Sequence, residues 1–267
     1  MTLRTYLDSL LQRGRVYFTK TEALGALSLS LASLMVSIHR LKAKGDIISP
    51  ARGLYVIIPP EEKMVGCIPA EELVPILMAY WKKDYYVGML SAALYQGSSH
   101  QKPQVFQVVT DTQIKPVHCG HVKIQFIYKK NIQDLPTQFV TVKTGYLKVG
   151  MPELTVYDLL HYHRQAGGLN NIATVLGELI ENIEISRLKR FAQKKGEVAW
   201  IQRLCFILES IDTFEEAKKT QLIKMLREYI ETRKIYPVPL LRGVPFKGCK
   251  RNNTWKIIEN TVIESDL

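Results

Sequence analysis

Leu3, Tyr6, Leu7, Leu10 and Leu11 recur at helical spacing, which predicts an amphipathic helix from Thr2 to about Arg13, stopped by Gly14. Val16-Tyr17-Phe18 is short and β-prone. Thr19-Lys20-Thr21-Glu22 has the form of a capping box, in which hydroxyl and carboxylate satisfy the free amides opening a helix that runs through Leu24 to Leu27. Ser28-Leu29-Ser30 supplies a turn and a second cap. A third helix then spans about Ser30 to Lys44 and ends at Gly45, a residue suited to the left-handed conformation. At about 100° per residue, Leu31, Leu34, Met35, Ile38 and Leu41 form its apolar stripe, while Ser33, Val36, Ser37, Arg40 and Lys44 point away from it. Asp46-Ile47-Ile48 and Leu54–Ile58 then read as two strands around Ser49-Pro50-Ala51-Arg52-Gly53.

Three helices followed by a hairpin, with a cation at its tip, predict a winged helix-turn-helix. Charge supports that reading. The chain of 267 residues carries a net charge of +11, and residues 1–60 hold eight Lys or Arg against three acids, the most basic part per residue. A polyanionic partner follows from this balance, with double-stranded DNA the partner that the predicted fold selects. The outward helix face is small, hydroxyl-bearing or cationic, as entry into a major groove requires. The candidate DNA-binding residues are therefore Ser30, Ser33, Ser37, Arg40, Lys44 and Arg52. Ser33, Ser37 and Arg40 are expected to reach base edges or nearby phosphates, and Lys44 and Arg52 to neutralise the backbone. A boundary is expected near Ile57-Ile58-Pro59-Pro60-Glu61-Glu62, giving a DNA-binding domain at 1–60 and a second domain at 61–267.

Beyond that boundary the pattern predicts helices at Glu71 to Lys82, with Pro75 in the first turn, and at Tyr85–Tyr95, then a loop at Gly97-Ser98-Ser99-His100. Strands are predicted at Gln104–Thr110, at His121–Lys129 with alternation through Val122, Ile124, Phe126 and Tyr128, and near Phe139–Val142 and Tyr146–Val149. Helices follow at Leu154–Gln165, Asn170–Ile180, Ile185–Lys195, Glu197–Ser210 and Phe214–Lys234, before a Pro-rich stretch and a last apolar piece at Trp255–Ile258. The fold class is α+β, with strands and helices grouped rather than alternating.

No apolar run approaches the roughly 20 residues of a membrane span, and the first residues lack the pattern of a secretory signal, so a cytoplasmic protein without a membrane partner is expected. Cys67, Cys119, Cys205 and Cys249 are too dispersed for a disulfide scaffold and read as free thiols. His118-Cys119-x-His121 lacks a fourth ligand, and His161 and His163 stand roughly 200° apart on their helix, so no metal is expected. Asp158 and His161 fit a local ion pair. Asp111 and Gln125 are loosely placed for a nuclease, but Ile127 stands where that pattern wants a lysine. Neither nucleotide-binding nor hydrolase motifs occur, so the chain is read as a non-enzyme without catalytic residues or cofactors.

Several segments carry a family likeness. Lys44-Gly45-Asp46-Ile47 with Arg52-Gly53-Leu54-Tyr55, the run Tyr85–Gln96, Glu153–Leu160 with Gly167–Ala173, and Asn252-Asn253-Thr254-Trp255 resemble the AbiEi-type antitoxins of type IV toxin–antitoxin systems. The resemblance implies a repressor of its own operon, bound at inverted repeats, whose carboxy-terminal domain neutralises a nucleotidyltransferase toxin in abortive infection by phage. A palindromic operator favours two copies on the DNA of a chain expected to be a monomer or weak dimer. The alternative is a ligand-responsive winged-helix repressor without a toxin partner.

Overall fold

The computed structural model describes residues 1–98 and 103–264. Ser99 and His100 of the expected loop lie outside the described residues. Helix α1 (Leu3–Gln12) starts from Thr2, whose Oγ1 accepts the Thr5 N–H at 3.2 Å. Strand β1 (Tyr17–Thr19) leads into α2 (Lys20–Leu27) through a complete capping box: Glu22 N–H donates to Thr19 Oγ1 at 3.2 Å and Thr19 N–H to Glu22 Oε2 at 2.7 Å. Helix α3 (Leu31–Ala43) follows after three residues, and the chain turns by 116° between α2 and α3. Strands β2 (Ile47–Ala51) and β3 (Leu54–Ile57) complete an antiparallel sheet of order β1-β3-β2, with the β2–β3 register shifting between Ile48 and Ala51. This is the element order of a winged helix-turn-helix.

Its core is built on Phe18, which stacks on Tyr55 at 5.2 Å and meets the edge of Tyr6 at 6.0 Å, with Leu7, Leu10, Leu34, Ile38 and Ile57 packed around them. The buried stripe of α3 is narrower than its periodicity predicts. Leu34 and Ile38 are buried and Leu41 is half-buried, but Leu31 is 51% and Met35 42% exposed. Two short helices and a three-stranded sheet are too small to cover the wider arc that the hydrophobic positions sweep.

Helix α4 (Ala70–Trp81) holds Pro75 at its sixth position, past the first turn where it was expected. The segment expected as one helix at Tyr85–Tyr95 instead divides into β4 (Tyr85–Val87) and α5 (Met89–Tyr95). Gly88 is extended there, and β4 finds an antiparallel partner in β5 (Phe106–Thr110). Strands β6 (Val117–Cys119), β7 (Val122–Tyr128), β8 (Thr137–Val142) and β9 (Gly145–Gly150) complete a six-stranded sheet of order β6-β7-β5-β4-β9-β8, in which β5 and β7 run parallel. The alternation expected along β7 fails after Gln125. Ile127 is buried and Tyr128 is exposed, while Phe126 meets the Trp81 ring edge-on at 5.8 Å.

Helices then follow in succession: α6 (Pro152–His161), α7 (Gly168–Leu179), α8 (Ile185–Lys195), α9 (Ala199–Ser210) and α10 (Glu216–Glu231). Strands β10 (Val238–Pro239), β11 (Arg251–Asn252) and β12 (Ile257–Ile258) form a small sheet of order β10-β12-β11. Two buried polar side chains of α9 hold these late segments. Gln202 Nε2 donates to the carbonyls of Tyr236 and Trp255 at 3.0 and 2.9 Å, and Arg203 Nε to those of Pro239 and Leu240 at 3.0 and 3.1 Å. The bonds to Trp255 and Leu240 satisfy backbone acceptors in buried surroundings.

The architecture is α+β. It divides into two compact units, one of Met1–Val87, Gln104–Gln133 and Phe139–Lys148, the other of Gly88–Pro103, Asp134–Gln138 and Val149–Leu267. The first 60 residues thus cluster with α4 and most of the large sheet, so neither unit ends at residue 60. No single described helix is long and apolar enough to cross a membrane.

Candidate nucleic-acid interface

Ser30 opens α3. Its Oγ accepts the Ser33 N–H at 3.2 Å and donates to Ser33 Oγ at 2.9 Å, so the Ser33 hydroxyl keeps its own proton free to donate outward. Ser37 Oγ donates to the Ser33 carbonyl at 3.0 Å and keeps its acceptor capacity. Ser33, Ser37, Arg40 and Lys44 follow at intervals of four, three and four residues, which sets them in one line along a flank of the helix. All but the half-buried Ser37 are exposed, as are Ser30 and Arg52. The six predicted residues therefore lie at the surface, five of them on or beside α3 and the sixth at the hairpin tip.

Ser30→Ala is expected to cost roughly 1 kcal/mol of stability, the usual worth of such a cap. Urea denaturation of the full chain checks it; an unchanged midpoint would remove the cap from the account of α3.

Helical phase also brings Ala32, Val36 and His39, all exposed, to the outward pole of α3. Val36, 51% exposed, is an apolar group suited to a thymine methyl, and His39 was not among the predicted contacts. The 100° periodicity that sets Val36 outward also sets Ala32 and His39 there.

Electrostatically, two of the three acids in residues 1–60 are paired with cations. Asp46 accepts from Lys63 Nζ at 2.8 Å, and Glu22 pairs with Arg15 Nη2 at 2.6 Å. Against the penalty of partial burial, the hydrogen bonds from Arg15 and the Thr19 N–H hold the Glu22 carboxyl below its ordinary range. The wing is aimed from outside residues 1–60. Tyr80 Oη on α4 donates to the Arg52 carbonyl at 2.8 Å, and Gly53, at φ +83°, would bring a Cβ to 3.0 Å from that oxygen. Glycine is required there both by the backbone conformation and by this close approach.

The residues weighed for other chemistry are placed differently. His118 lies exposed on β6 and His121 exposed in the turn after it, with the buried Cys119 between them, and His161 stacks on Tyr157 at 5.4 Å. Among the described residues no three His, Cys, Asp or Glu side chains are grouped to hold a metal. Cys67 and Cys119 are buried free thiols that share a hydrogen bond, which together with burial keeps Cys67 protonated.

A family model described as the AbiEi antitoxin C-terminal domain matches residues 86–210. Over those residues the chain is similar to the AbiEi antitoxin domain. The matched stretch begins within β4 and ends on the last residue of α9. The crystal structure of RV2827C protein from Mycobacterium tuberculosis is similar over 94% of this chain and 89% of that one, with a TM-score of 0.67 and 17% identity. The likeness is one of fold. No curated protein matches the sequence.

Proposed function

We propose that this protein is an antitoxin of a type IV toxin–antitoxin system that also represses its own operon, acting on DNA rather than as an enzyme. The observation that carries the DNA half is the 116° turn between α2 and α3, within the range of helix-turn-helix pairs. It presents a line of Ser33, Ser37, Arg40 and Lys44 beside a wing tipped by Arg52. In this reading α3 enters the major groove, Ser30 and Lys44 mark the two ends of the contact line, and Arg52 meets the phosphate backbone. The operator has inverted repeats and takes two copies of a chain that is a monomer or weak dimer in solution. The AbiEi domain carries the antitoxin half, with a nucleotidyltransferase as the toxin neutralised, in defence against phage. Such a role belongs in the cytoplasm.

The test keeps the chain whole. An Arg40→Ala/Arg52→Ala double variant is expected to lose operator binding in a gel-shift titration while still relieving growth arrest when co-expressed with the neighbouring toxin. Undiminished operator binding would sink the DNA assignment, and failure of the wild-type chain to relieve arrest would sink the antitoxin assignment.

A second reading, a ligand-responsive repressor, is favoured by one feature. A cavity of about 440 Å³ in the second unit is lined by Gly97, Gly177, Glu178, Asp212, Thr213 and Phe214, among others. That reading expects operator affinity to change on addition of a metabolite, and to do so without a toxin gene beside the operon.

A further inference from the structure

Arg203 is a buried cation with no carboxylate beside it among the described residues. The residue is 5% exposed, and its contacts among the described residues are all backbone carbonyls: Nε to Pro239 and Leu240, and Nη1 to Ala199 at 3.3 Å. Its Nη2 makes no hydrogen bond within the described residues and keeps contact with solvent. A buried guanidinium is ordinarily matched by an acid, because desolvation of an uncompensated charge is expensive. Here the neighbours are further cations.

Three chain segments bring them together. Arg203 is anchored on the carbonyls of 239 and 240, two residues before Arg242. Arg164, just beyond α6, sets its Nη2 3.0 Å from where a Cβ on Gly243 would stand. Asn260 fixes the loop that carries Arg242: its Oδ1 accepts the Leu241 N–H at 3.0 Å, and its Nδ2 donates to the carbonyls of Leu241 and Val244 at 2.9 and 3.1 Å. His163 lies in the field of all three arginines. Burial first, and then Arg164, Arg203 and Arg242, lower its imidazole below the usual range. Burial and then Arg242 lower the Arg203 guanidinium to about 10, which still leaves it charged at neutral pH. None of the three arginines has an acidic partner among the described residues.

We propose that Arg164, Arg203 and Arg242, with His163 as a fourth donor, form a binding site for a phosphate-bearing anion. The buried Arg203 offers its free Nη2 from a position fixed by three carbonyls, and Arg164 and Arg242 close on the ligand from the surface. Guanidinium forks match the oxygens of a phosphoryl group in charge and geometry. A dianion supplies the compensation that no carboxylate of the described residues gives.

The experiment uses the full chain in phosphate-free buffer at constant ionic strength, titrated with inorganic phosphate, pyrophosphate or ADP. The readouts are the His163 Hε1 resonance, assigned through His163→Gln, and the melting temperature. The expected result is a saturable shift of the resonance, a rise in the imidazole pKa on binding, and a higher melting temperature. Arg164→Gln/Arg242→Gln, both at exposed positions, is expected to weaken binding at least tenfold with no change in melting temperature when anion is absent. Saturation by inorganic phosphate with no preference for ADP identifies the free ion as the source, and tighter binding of ADP identifies a phosphorylated metabolite. A response no larger than that to sodium chloride overturns the proposal, as does one that survives the double substitution. Operator binding is expected to stay at the wild-type level in the double variant; its loss would make these arginines part of a nucleic-acid surface and overturn the small-anion site.

Discussion

Phe18→Ala is expected to destabilise the first unit by about 3–5 kcal/mol, the range for removing a buried aromatic ring and leaving a cavity. Phe18 has no exposed surface, and its ring joins Tyr55 on β3 to Tyr6 on α1. One truncation therefore removes the contact that ties the first helix to the sheet. Neighbouring side chains cannot collapse into the gap cheaply, because Tyr55 is held in antiparallel register opposite position 18. Amide hydrogen exchange reads the effect where it occurs: protection in β1, β3 and α3 is expected to fall by two to three orders of magnitude, since about 1.4 kcal/mol corresponds to a factor of ten. A loss below tenfold would mean that Phe18 is not the centre of this core.

Arg40→Ala and Arg52→Ala are expected to fail in different ways. Arg40 stands at the cationic end of the α3 line, where a fork can reach a guanine edge, and such a pair contributes about 1–3 kcal/mol of discrimination. Its removal is expected to bring operator and scrambled duplex to within a few-fold of each other. Arg52, at the wing tip, is assigned to the phosphate backbone in the proposed reading. Its removal is expected to weaken both duplexes alike and to flatten the dependence of log K on log salt by about 0.9. Fluorescence anisotropy on the two duplexes over a salt series separates the cases. Equal behaviour of both variants and the wild type would refute the assignment.

The first 60 residues were legible because their signals are local. The Thr19–Glu22 box, the Ser30 cap and the left-handed Gly45 each depend on residues within one turn, and each is found in place. Periodicity told less about width. It counted Leu31 and Met35 as core, but the amount of an apolar arc that is covered depends on the size of the partners, which phase alone does not encode. Tyr85–Val87 is a strand rather than helix: three apolar residues before a glycine are compatible with either element, and pairing with Val108–Thr110 decides the matter. The strand β6 carries no alternation and is defined by its neighbour β7. The line of serines and cations on α3 was visible from spacing. The tether from Tyr80 was not, and neither was the gathering of Arg164, Arg203 and Arg242, since each joins residues far apart in the chain.

The hydrogen bond from Tyr80 to the Arg52 carbonyl has a practical corollary. A fragment cut at residue 60 retains every group expected to touch a groove, yet it loses the peg that sets the angle of the hairpin. Any deficit in affinity between that fragment and the intact polypeptide therefore gauges how far the pitch of the wing, rather than its charge, governs attachment to a duplex.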